Sequence, residues 1–216
     1  NILPLGGIPL LAWTVKAAHD SKMLSQVIVS TDDREIAAIA RESGAEVPFI
    51  RPPELSSDEA SSYQVINHAV SFVEERDNSL VDIVVTLQPT TPFRTSEDID
   101  DCVRLLLDNP GFNSTFSACL IHQRPEWMFS VDLGTKTATP VISDKLRTNL
   151  TNSQTLGSIV VPNGGVYVTR KAPFSSARSI IVPKSGVHIM PSNRSVDIDD
   201  DSDLSFAEYL FRKRKN

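Results

Sequence analysis

The sequence predicts a single α/β domain built on a mainly parallel β-sheet. Strand-like and helix-like segments alternate between residues 10 and 121, which is the order expected of βαβ units. Residues 83–87 are all apolar or β-branched, as in parallel strands that are covered on both faces. The chain has 216 residues, of which 40% are hydrophobic, so it is long enough to bury a core.

Helices are predicted where apolar residues recur at helical spacing or where a capping signal opens the segment. These segments are residues 10–23, 32–43, 61–76, 95–108 and 204–212. Three of the starts match the capping-box pattern, namely Asp32 with Glu35, Ser61 with Gln64, and Thr95 with Asp98. Asp201 and Ser202 are expected to cap the last helix. Gly44 suits the position just after a helix end.

Strands are predicted at short β-branched and apolar runs bounded by turn residues. They are residues 26–30, 47–50, 82–87, 114–121, 165–169, 179–183 and 187–190. A helix precedes the first of them, so we expect a single domain over residues 1–216 that lacks its first strand and the loop after it. Both would precede Asn1. Residues 126–161 show little periodicity and are expected to form an excursion from this domain, not a second domain.

The charge balance excludes some classes of partner. The chain carries 21 basic and 27 acidic residues, a net charge of −6, so no global basic surface favours a nucleic acid polymer. There is no apolar run of about 18 residues and no visible signal peptide, which predicts a cytoplasmic protein without a membrane partner. Cys102 and Cys119 have no metal-ligand spacing; reduced thiols are expected, although one disulfide remains open.

Asp197 and Asp199 carry the strongest chemical signal in the sequence. If their segment is extended, both carboxylates lie on one side and Val196 and Ile198 lie on the other. Two adjacent carboxylates repel unless a cation lies between them, and oxygen ligands of this kind suit Mg²⁺. The alternative is an acidic turn that starts a helix, although the pair comes early for the helix at residue 204.

Other polar residues follow predicted strands, where ligands bind in open α/β sheets. Gln88 ends the strand at residues 82–87 and is followed by proline, so its amide is rigidly placed to donate and accept. Asp32 and Asp33 follow residues 26–30, and Arg51 follows residues 47–50. The alternative for Gln88 is an ordinary turn residue. The alternative for Asp32 and Asp33 is helix capping, and that for Arg51 is a surface charge. No motif supports covalent catalysis.

Ten segments, in order and correctly spaced, resemble the acylneuraminate cytidylyltransferases, which are the CMP-sialic acid synthetases. They are residues 1–2, 5–10, 29–33 with 35–37, 44–49, 51–55, 58–62, 87–95, 125–129, 163–167 and 195–199. The resemblance covers most of the chain. It implies a Rossmann-like, three-layer nucleotidyltransferase fold with a small dimerisation excursion at residues 126–161, and hence a homodimer.

The same resemblance implies an enzyme that joins CTP to a nine-carbon 2-keto sugar acid and releases pyrophosphate. In this family the anomeric hydroxyl of the sugar attacks the α-phosphate of CTP. Catalysis of such a step is mainly positioning and neutralisation of charge by a metal ion. A carboxylate pair for Mg²⁺ and the lack of a protein nucleophile agree with that chemistry.

The resemblance also assigns roles by position. Asp197 and Asp199 would be the catalytic, metal-binding pair, and Arg51 would contact the cytosine. The other nucleotide contacts would be Asn1, Ala60, Ser61 and Ser62. The contacts to the sugar acid would be Gln88, Asn163 and Tyr167.

Two departures from the family pattern leave alternatives open. The Gly- and Lys/Arg-rich phosphate motif of the family is not among these 216 residues. Residues 146–151 replace an Arg-Arg-Gln stretch, and they retain Arg147 but have Asn149 at the Gln position. The sugar acid is therefore open between N-acetylneuraminic, legionaminic and pseudaminic acid. A synthetase for the eight-carbon acid Kdo and a non-catalytic sugar-nucleotide binding domain are the alternative functions.

Overall fold

The computed structural model describes residues 1–57, 59–121, 123–142 and 157–215. Its helices are α1 (Leu10–His19), α2 (Arg34–Glu42), α3 (Ser62–Asp77), α4 (Ser96–Asp108), α5 (Lys171–Ala177) and α6 (Asp201–Lys215). Its strands are β1 (Pro4–Leu5), β2 (Ile8–Pro9), β3 (Ile83–Thr86), β4 (Ser114–Leu120), β5 (Phe129–Asp132), β6 (Thr137–Pro140), β7 (Val160–Arg170) and β8 (Ser185–Ile189).

The main sheet has the order β3-β7-β4-β8 and is mixed. Strand β7 is antiparallel to both β3 and β4, whereas β4 and β8 are parallel. Three of the four strands therefore run in one direction, but the reversed strand lies between two of them. Two of the three strand pairs in this sheet are antiparallel, so the prediction of a mainly parallel sheet is wrong for the pairing. The reason is that β7 enters between β3 and β4 and runs opposite to both.

Two predicted strands reduce to a single parallel bridge between Ile28 and Glu46. Hydrogen bonds from Val29 N to Glu46 O and from Glu46 N to Val27 O hold this pair of segments together. The run at residues 179–183 is not a strand. Side chains satisfy its backbone instead, since Thr169 Oγ1 donates to Ile180 O. Helix α5 was not predicted.

The capping boxes at Ser61 with Gln64 and at Thr95 with Asp98 are confirmed, with both reciprocal hydrogen bonds present. At α2 the cap is Asp33, one residue later than predicted; its carboxylate accepts from the amides of the second and third helical residues. Gly44 has φ +99°, as expected of the residue that follows this helix.

Packing joins the helices to the sheet through several apolar clusters. One cluster combines α4 with β7, through Ile99, Leu106, Val166 and Val168. A second cluster joins α1, α6 and the segment before α6. Cys102 and Cys119 are both free. No helix of the described residues is long and apolar enough to cross a membrane.

The first part of the predicted excursion is a β5–β6 hairpin whose side chains are mostly exposed. Residues 143–156, which include Arg147 and Asn149, lie outside the described residues. The last two residues of the predicted excursion, Val160 and Val161, already belong to β7.

Candidate active site

The acidic segment at residues 195–199 alternates between core and surface as the sequence predicts. Val196 and Ile198 are buried among residues of α1 and α6. Asp197 is half-buried and Asp199 is exposed. The Ile198 amide donates to Thr90 O at 2.9 Å, which fixes the segment beside the turn that follows β3. Alternation thus leaves both carboxylates outside the apolar cluster that Val196 and Ile198 join.

Helix α6 is capped by other acidic residues. Asp200 Oδ1 accepts from Ser202 N at 2.7 Å and from Asp203 N at 3.0 Å. Asp203 Oδ2 accepts in return from Asp199 N and Asp200 N. The cap of α6 is therefore Asp200, because its carboxylate reaches two backbone amides. The prediction that Asp201 and Ser202 cap this helix is wrong. Capping thus uses neither the Asp197 nor the Asp199 carboxylate.

The Asp197 carboxylate has a free oxygen. Its Oδ1 atom is buried and has no hydrogen-bond partner among the described residues. A buried carboxylate oxygen without a donor is costly, and a cation would satisfy it. No group of three or more His, Cys, Asp or Glu side chains that could hold a metal lies in the described part of the chain. A pair of carboxylates is nevertheless what Mg²⁺ takes when phosphates supply its other ligands.

Gly164 lies between Gln88, a predicted sugar contact, and Asp197, a predicted metal ligand. A Cβ atom there would lie 2.6 Å from Gln88 Oε1, 2.8 Å from Thr91 Oγ1 and 3.2 Å from Asp197 Oδ2. Thr91 Oγ1 also donates to Asn163 O at 2.9 Å. The side chains at the end of β3 and in the acidic segment thus converge on a glycine in β7.

We expect Gly164→Ala to lower turnover by about tenfold or more, because its methyl group must displace Gln88 and Asp197 and small misplacements are costly. The positive φ of +71° adds strain of about 1 kcal/mol. Gly7→Ala is the control: its φ is +83°, but nothing lies within 4 Å of its Cβ position. Steady-state kinetics and unfolding midpoints of both variants measure this. Equal activities would contradict the placement of Gln88 and Asp197.

Asn163 is 4% exposed, and its amide is fully used within the protein. Oδ1 accepts from Ser117 Oγ at 2.6 Å and from Gly165 N at 3.1 Å. Nδ2 donates to Ser195 Oγ at 2.8 Å and approaches Met190 Sδ at 3.2 Å. In this arrangement Asn163 ties the acidic segment to β4 and β7, and no atom of its amide is left for a sugar.

Tyr167 and Gln88 differ in accessibility. Tyr167 is 8% exposed, and burial raises the pKa of its phenol, with the charge of Asp197 acting in the same direction. Gln88 is exposed at the end of β3. Of the three predicted sugar contacts, Gln88 is therefore the most open to a ligand, and Tyr167 lies close enough to Asp197 to feel its charge.

Arg51 is held by the residues that follow the 26–30 segment. Its Nη2 atom lies 2.6 Å from Asp32 Oδ1, and its Nε donates to Ser56 Oγ at 3.2 Å. A backbone hydrogen bond and the Arg51 guanidinium lower the pKa of Asp32. Asp32 therefore orients Arg51, which explains why Asp33 and not Asp32 caps α2.

A cavity of about 690 Å³ lies between the 24–31 segment and β3. Val27, Val29 and Val85 contribute apolar wall, and Asn1 and Arg51 also line it. The structure thus brings two of the predicted nucleotide residues to one cavity. The carboxylate pair is not among the residues that line it, although Pro89, next to Gln88, is.

The remaining predicted nucleotide residues lie at the start of α3. Ser61 is the N-cap of that helix, and its hydroxyl is engaged with Gln64. Ser62 is the first helical residue and is exposed, and Ala60 is partly exposed. None of the three lines the cavity. The first amides of a helix have no partner within the helix itself, and this favours an anionic ligand at the start of α3.

Sequence reasoning missed a buried ionic cluster behind the acidic segment. Arg194 forms two hydrogen bonds to the Asp98 carboxylate, and His188 Nε2 lies 3.1 Å from Asp98 Oδ1. Asp98 was predicted only as a helix cap. Arg94, 4% exposed, was likewise overlooked. The available signal was an arginine inside the proline-bounded turn 88–95.

These features define an α/β protein of the nucleotidyltransferase type. The fold matches CMP:2-keto-3-deoxy-manno-octonic acid synthetase complexed with CTP, at a TM-score of 0.64 and 14% identity over 99% of this chain and 91% of that one. It also matches 4-diphosphocytidyl-2C-methyl-D-erythritol synthase from Anaerococcus prevotii. That match has a TM-score of 0.65 and 12% identity, and it covers 97% of this chain and 92% of that one. At these identities the likeness shows the fold alone.

The chain belongs to the cytidylyltransferase family, whose profile matches residues 1–214. It is 31% identical to the N-acylneuraminate cytidylyltransferase of Escherichia coli O18:K1:H7, over 99% of this chain and 48% of that protein. It is 27% identical to the pseudaminic acid cytidylyltransferase of Campylobacter jejuni, over 98% of this chain and 89% of that protein. It is 28% identical to the CMP-N,N'-diacetyllegionaminic acid synthase of Legionella pneumophila, over 97% and 88%.

The chain thus spans about half the length of the E. coli relative and most of the length of the other two. The resemblance predicted from the ten segments is confirmed by these matches.

Proposed function

We propose that this chain transfers the cytidylyl group of CTP to a nine-carbon 2-keto sugar acid of the sialic acid type and releases pyrophosphate. The family and the names of three relatives support the reaction class. The observation that carries the site is the convergence of Gln88 and Asp197 on Gly164. That arrangement puts an amide for hydroxyl or N-acyl groups beside a carboxylate for a metal ion.

Each residue of the candidate site can be given a role in this reaction. The anomeric hydroxyl oxygen would bond to the α-phosphorus as the bond to the β-phosphate oxygen breaks, so pyrophosphate leaves and the hydroxyl proton passes to solvent. The structure offers positioning groups for this step. Asp197 and Asp199 would hold Mg²⁺, which when bound neutralises phosphate charge. Arg51, oriented by Asp32, would contact the cytosine, with Asn1, Ala60, Ser61 and Ser62 around the rest of the nucleotide.

The alternatives have less support. The match to the eight-carbon synthetase is at 14% identity, whereas the nine-carbon relatives stand at 27–31%. Those relatives name three different sugar acids, so the proposal is a substrate class. A cytoplasmic location stays a prediction.

Pyrophosphate release tests this proposal directly. The protein is incubated with CTP, MgCl₂ and, in separate reactions, N-acetylneuraminic, pseudaminic, legionaminic and Kdo acids. Release with a nine-carbon acid that chelation by EDTA abolishes supports the proposal. Preference for Kdo selects the eight-carbon alternative. CTP binding by calorimetry without release from any acid selects the non-catalytic domain.

Arg51→Ala is expected to raise the KM for CTP by about tenfold or more and to blur discrimination against UTP. The reason is that a site built to hydrogen-bond a base edge rejects analogues that leave its groups unpaired. Arg34→Ala, an exposed arginine at the start of α2, is the control and should leave both parameters unchanged. If Arg51→Ala alters only the KM for the sugar acid, the cytosine assignment is wrong.

We also propose that the chain is a homodimer through the β5–β6 hairpin. Its exposed apolar residues include Phe129 at 51%, Val131 at 55% and Leu133 at 84% exposure, a concentration typical of an interaction surface. A hairpin edge shared by two copies would be a symmetric, self-complementary contact.

The expected result is a dimer by sedimentation equilibrium that Phe129→Asp weakens by about tenfold or more in dissociation constant. Phe206→Asp on α6 is the matched control, because that aromatic ring is also 51% exposed. A monomeric wild-type protein, or equal effects of both changes, would refute the hairpin interface.

Finally, we propose that the 690 Å³ cavity receives an extended strand. Residues of β3 line one side and residues 26–29 line the other, and β3 has no strand partner on its outer edge within the described residues. Backbone groups along such an edge accept a new strand readily. The test compares this chain with a version extended at its N-terminus: slower amide exchange along β3 supports the proposal, and unchanged exchange opposes it.

A further inference from the structure

Arg94 is an arginine that the fold buries almost completely, and the roles given so far leave it unexplained. It lies in the turn between β3 and α4 and is 4% exposed. Removing a guanidinium from water costs several kcal/mol unless its charge and donors find partners. A buried arginine at a strand end that carries substrate residues therefore calls for a reason.

Its hydrogen bonds join two parts of the site. Nη1 donates to Thr14 Oγ1 on α1 at 2.7 Å, and Nη2 donates to Gln88 O. Thr14 lines the cavity that also holds Arg51. The Gln88 side chain faces Gly164, as does the Asp197 carboxylate. The fork of one guanidinium thus ties helix α1 to the turn that carries Gln88.

Its charge faces the acidic segment. Burial lowers the pKa of Arg94 to about 9, and the negative charges of Asp197 and Asp98 oppose that fall. Arg94 Nε and Asp197 Oδ1 are both buried and without a hydrogen-bond partner among the described residues. The guanidinium therefore lies near enough to the Asp197 carboxylate for the two charges to attract each other.

The turn that Arg94 holds is hydrogen-bonded to both other segments of the candidate site. Thr90 O accepts from Ile198 N, which fixes the residue after Asp197. Thr91 Oγ1 donates to Asn163 O, which fixes the residue before Gly164. A shift of this turn would therefore move Gln88, Gly164 and Asp197 together.

We propose that Arg94 is a positioning residue for cytidylyl transfer: it holds the turn that carries Gln88 and, through the hydrogen bond of that turn to Ile198, keeps Asp197 in register with Gln88. This inference rests on the proposed function. It differs from a purely structural role in one respect: losing Arg94 should impair use of the sugar acid far more than binding of CTP.

The experiment is chemical rescue of Arg94→Ala. We expect this variant to lose about 10²-fold in kcat/KM for the sugar acid, the cost of a small misplacement of reacting groups. The Kd for CTP, measured by calorimetry, should change by no more than about threefold. Guanidinium chloride at non-denaturing concentration should restore about tenfold of the activity, since it supplies both charge and fork. Ethylammonium chloride at equal ionic strength should not.

Two variants act as controls. Arg94→Lys keeps the charge but cannot bond Thr14 and Gln88 at once, so it should fall between wild type and Arg94→Ala. Arg104→Ala removes an arginine of α4 that is 49% exposed and should change nothing. An Arg94→Ala protein with normal kinetics overturns the proposal. So does equal loss of CTP binding and sugar use without rescue.

A second readout separates this inference from the proposed function. The side-chain amide of Gln88, labelled with ¹⁵N and assigned with Gln88→Ala, should shift in Arg94→Ala and return with guanidinium. If wild type releases no pyrophosphate with any sugar acid, the proposed function fails and this amide signal alone decides the role of Arg94. An unmoved signal overturns the proposal.

Discussion

Asp197→Asn is expected to lower pyrophosphate release by a factor of about 10² or more, the usual cost of removing one group that stabilises developing charge. The amide keeps the size of the side chain but removes the charge that would hold Mg²⁺. The packing of Val196 and Ile198 on either side should persist, because their side chains are buried in the apolar cluster with α1 and α6. Turnover as a function of MgCl₂ concentration measures the effect.

Asp201→Asn is the matched control. Asp201 is a nearby acidic residue in the first turn of α6, and capping there depends on Asp200 and Asp203 instead. Its turnover should equal that of wild type. An Asp197→Asn protein that turns over at the wild-type rate would remove the metal assignment from this pair, whatever the family.

What the sequence could predict was local. The boxes at Ser61 and Thr95 rest on partners three residues apart, so their pattern is complete in the sequence. The box at Asp32 failed because Asp32 pairs with Arg51, nineteen residues away, and Asp33 took its place. Long-range charge pairing overrode a local signal of equal strength.

The direction of β7 shows a second limit. Residues 166–169 of β7 are apolar, aromatic or β-branched, much like those of β3, so composition predicts a strand there but not its neighbours. Pairing was decided by where the chain returns after the excursion, which no local pattern encodes. A sheet of three parallel-running strands with one reversed strand among them was therefore predicted as mainly parallel.

The site was predicted in part. Alternation at residues 195–199 correctly separated Asp197 and Asp199 from the buried Val196 and Ile198. The residues that fix this segment were not foreseen, because Asn163, Asp98 and Arg194 act through partners 32 to 96 positions distant. Charged residues are seldom fully buried, so the capping pattern of Asp98 gave no reason to expect a buried pairing as well.

Loss of the Asp98 carboxylate should have the largest effect on stability. Asp98 has a side chain 3% exposed, and it pairs with Arg194 at 26% exposure while also accepting from the Thr95 amide at 2.8 Å. Removing one partner of a buried pair leaves the other charge uncompensated, which costs 3–5 kcal/mol when both are fully buried. Because Arg194 is partly exposed, we expect about 3 kcal/mol for Asp98→Asn.

The effect should depend on pH with a definite sign. Burial alone would raise the pKa of Asp98, but hydrogen bonds from His188, Arg194 and Thr95 outweigh it and hold the pKa well below the ordinary 3.8. A carboxylate with a lowered folded pKa stabilises the native state above its unfolded pKa and loses that stabilisation as the pH falls below it. The difference between wild type and Asp98→Asn should thus be constant at neutral pH and shrink below pH 3.8.

Urea unfolding of wild type, Asp98→Asn and Asp101→Asn at a series of pH values tests this. Asp101 lies on the same helix in an exposed pair with Arg104, so its change should cost less than about 1 kcal/mol. Arg194 directly precedes the acidic segment, so Asp98→Asn should also reduce turnover in protein that is still folded. A gap between wild type and Asp98→Asn that is small at neutral pH, or that widens in acid, would mean that the Asp98–Arg194 pair does not hold this segment in place.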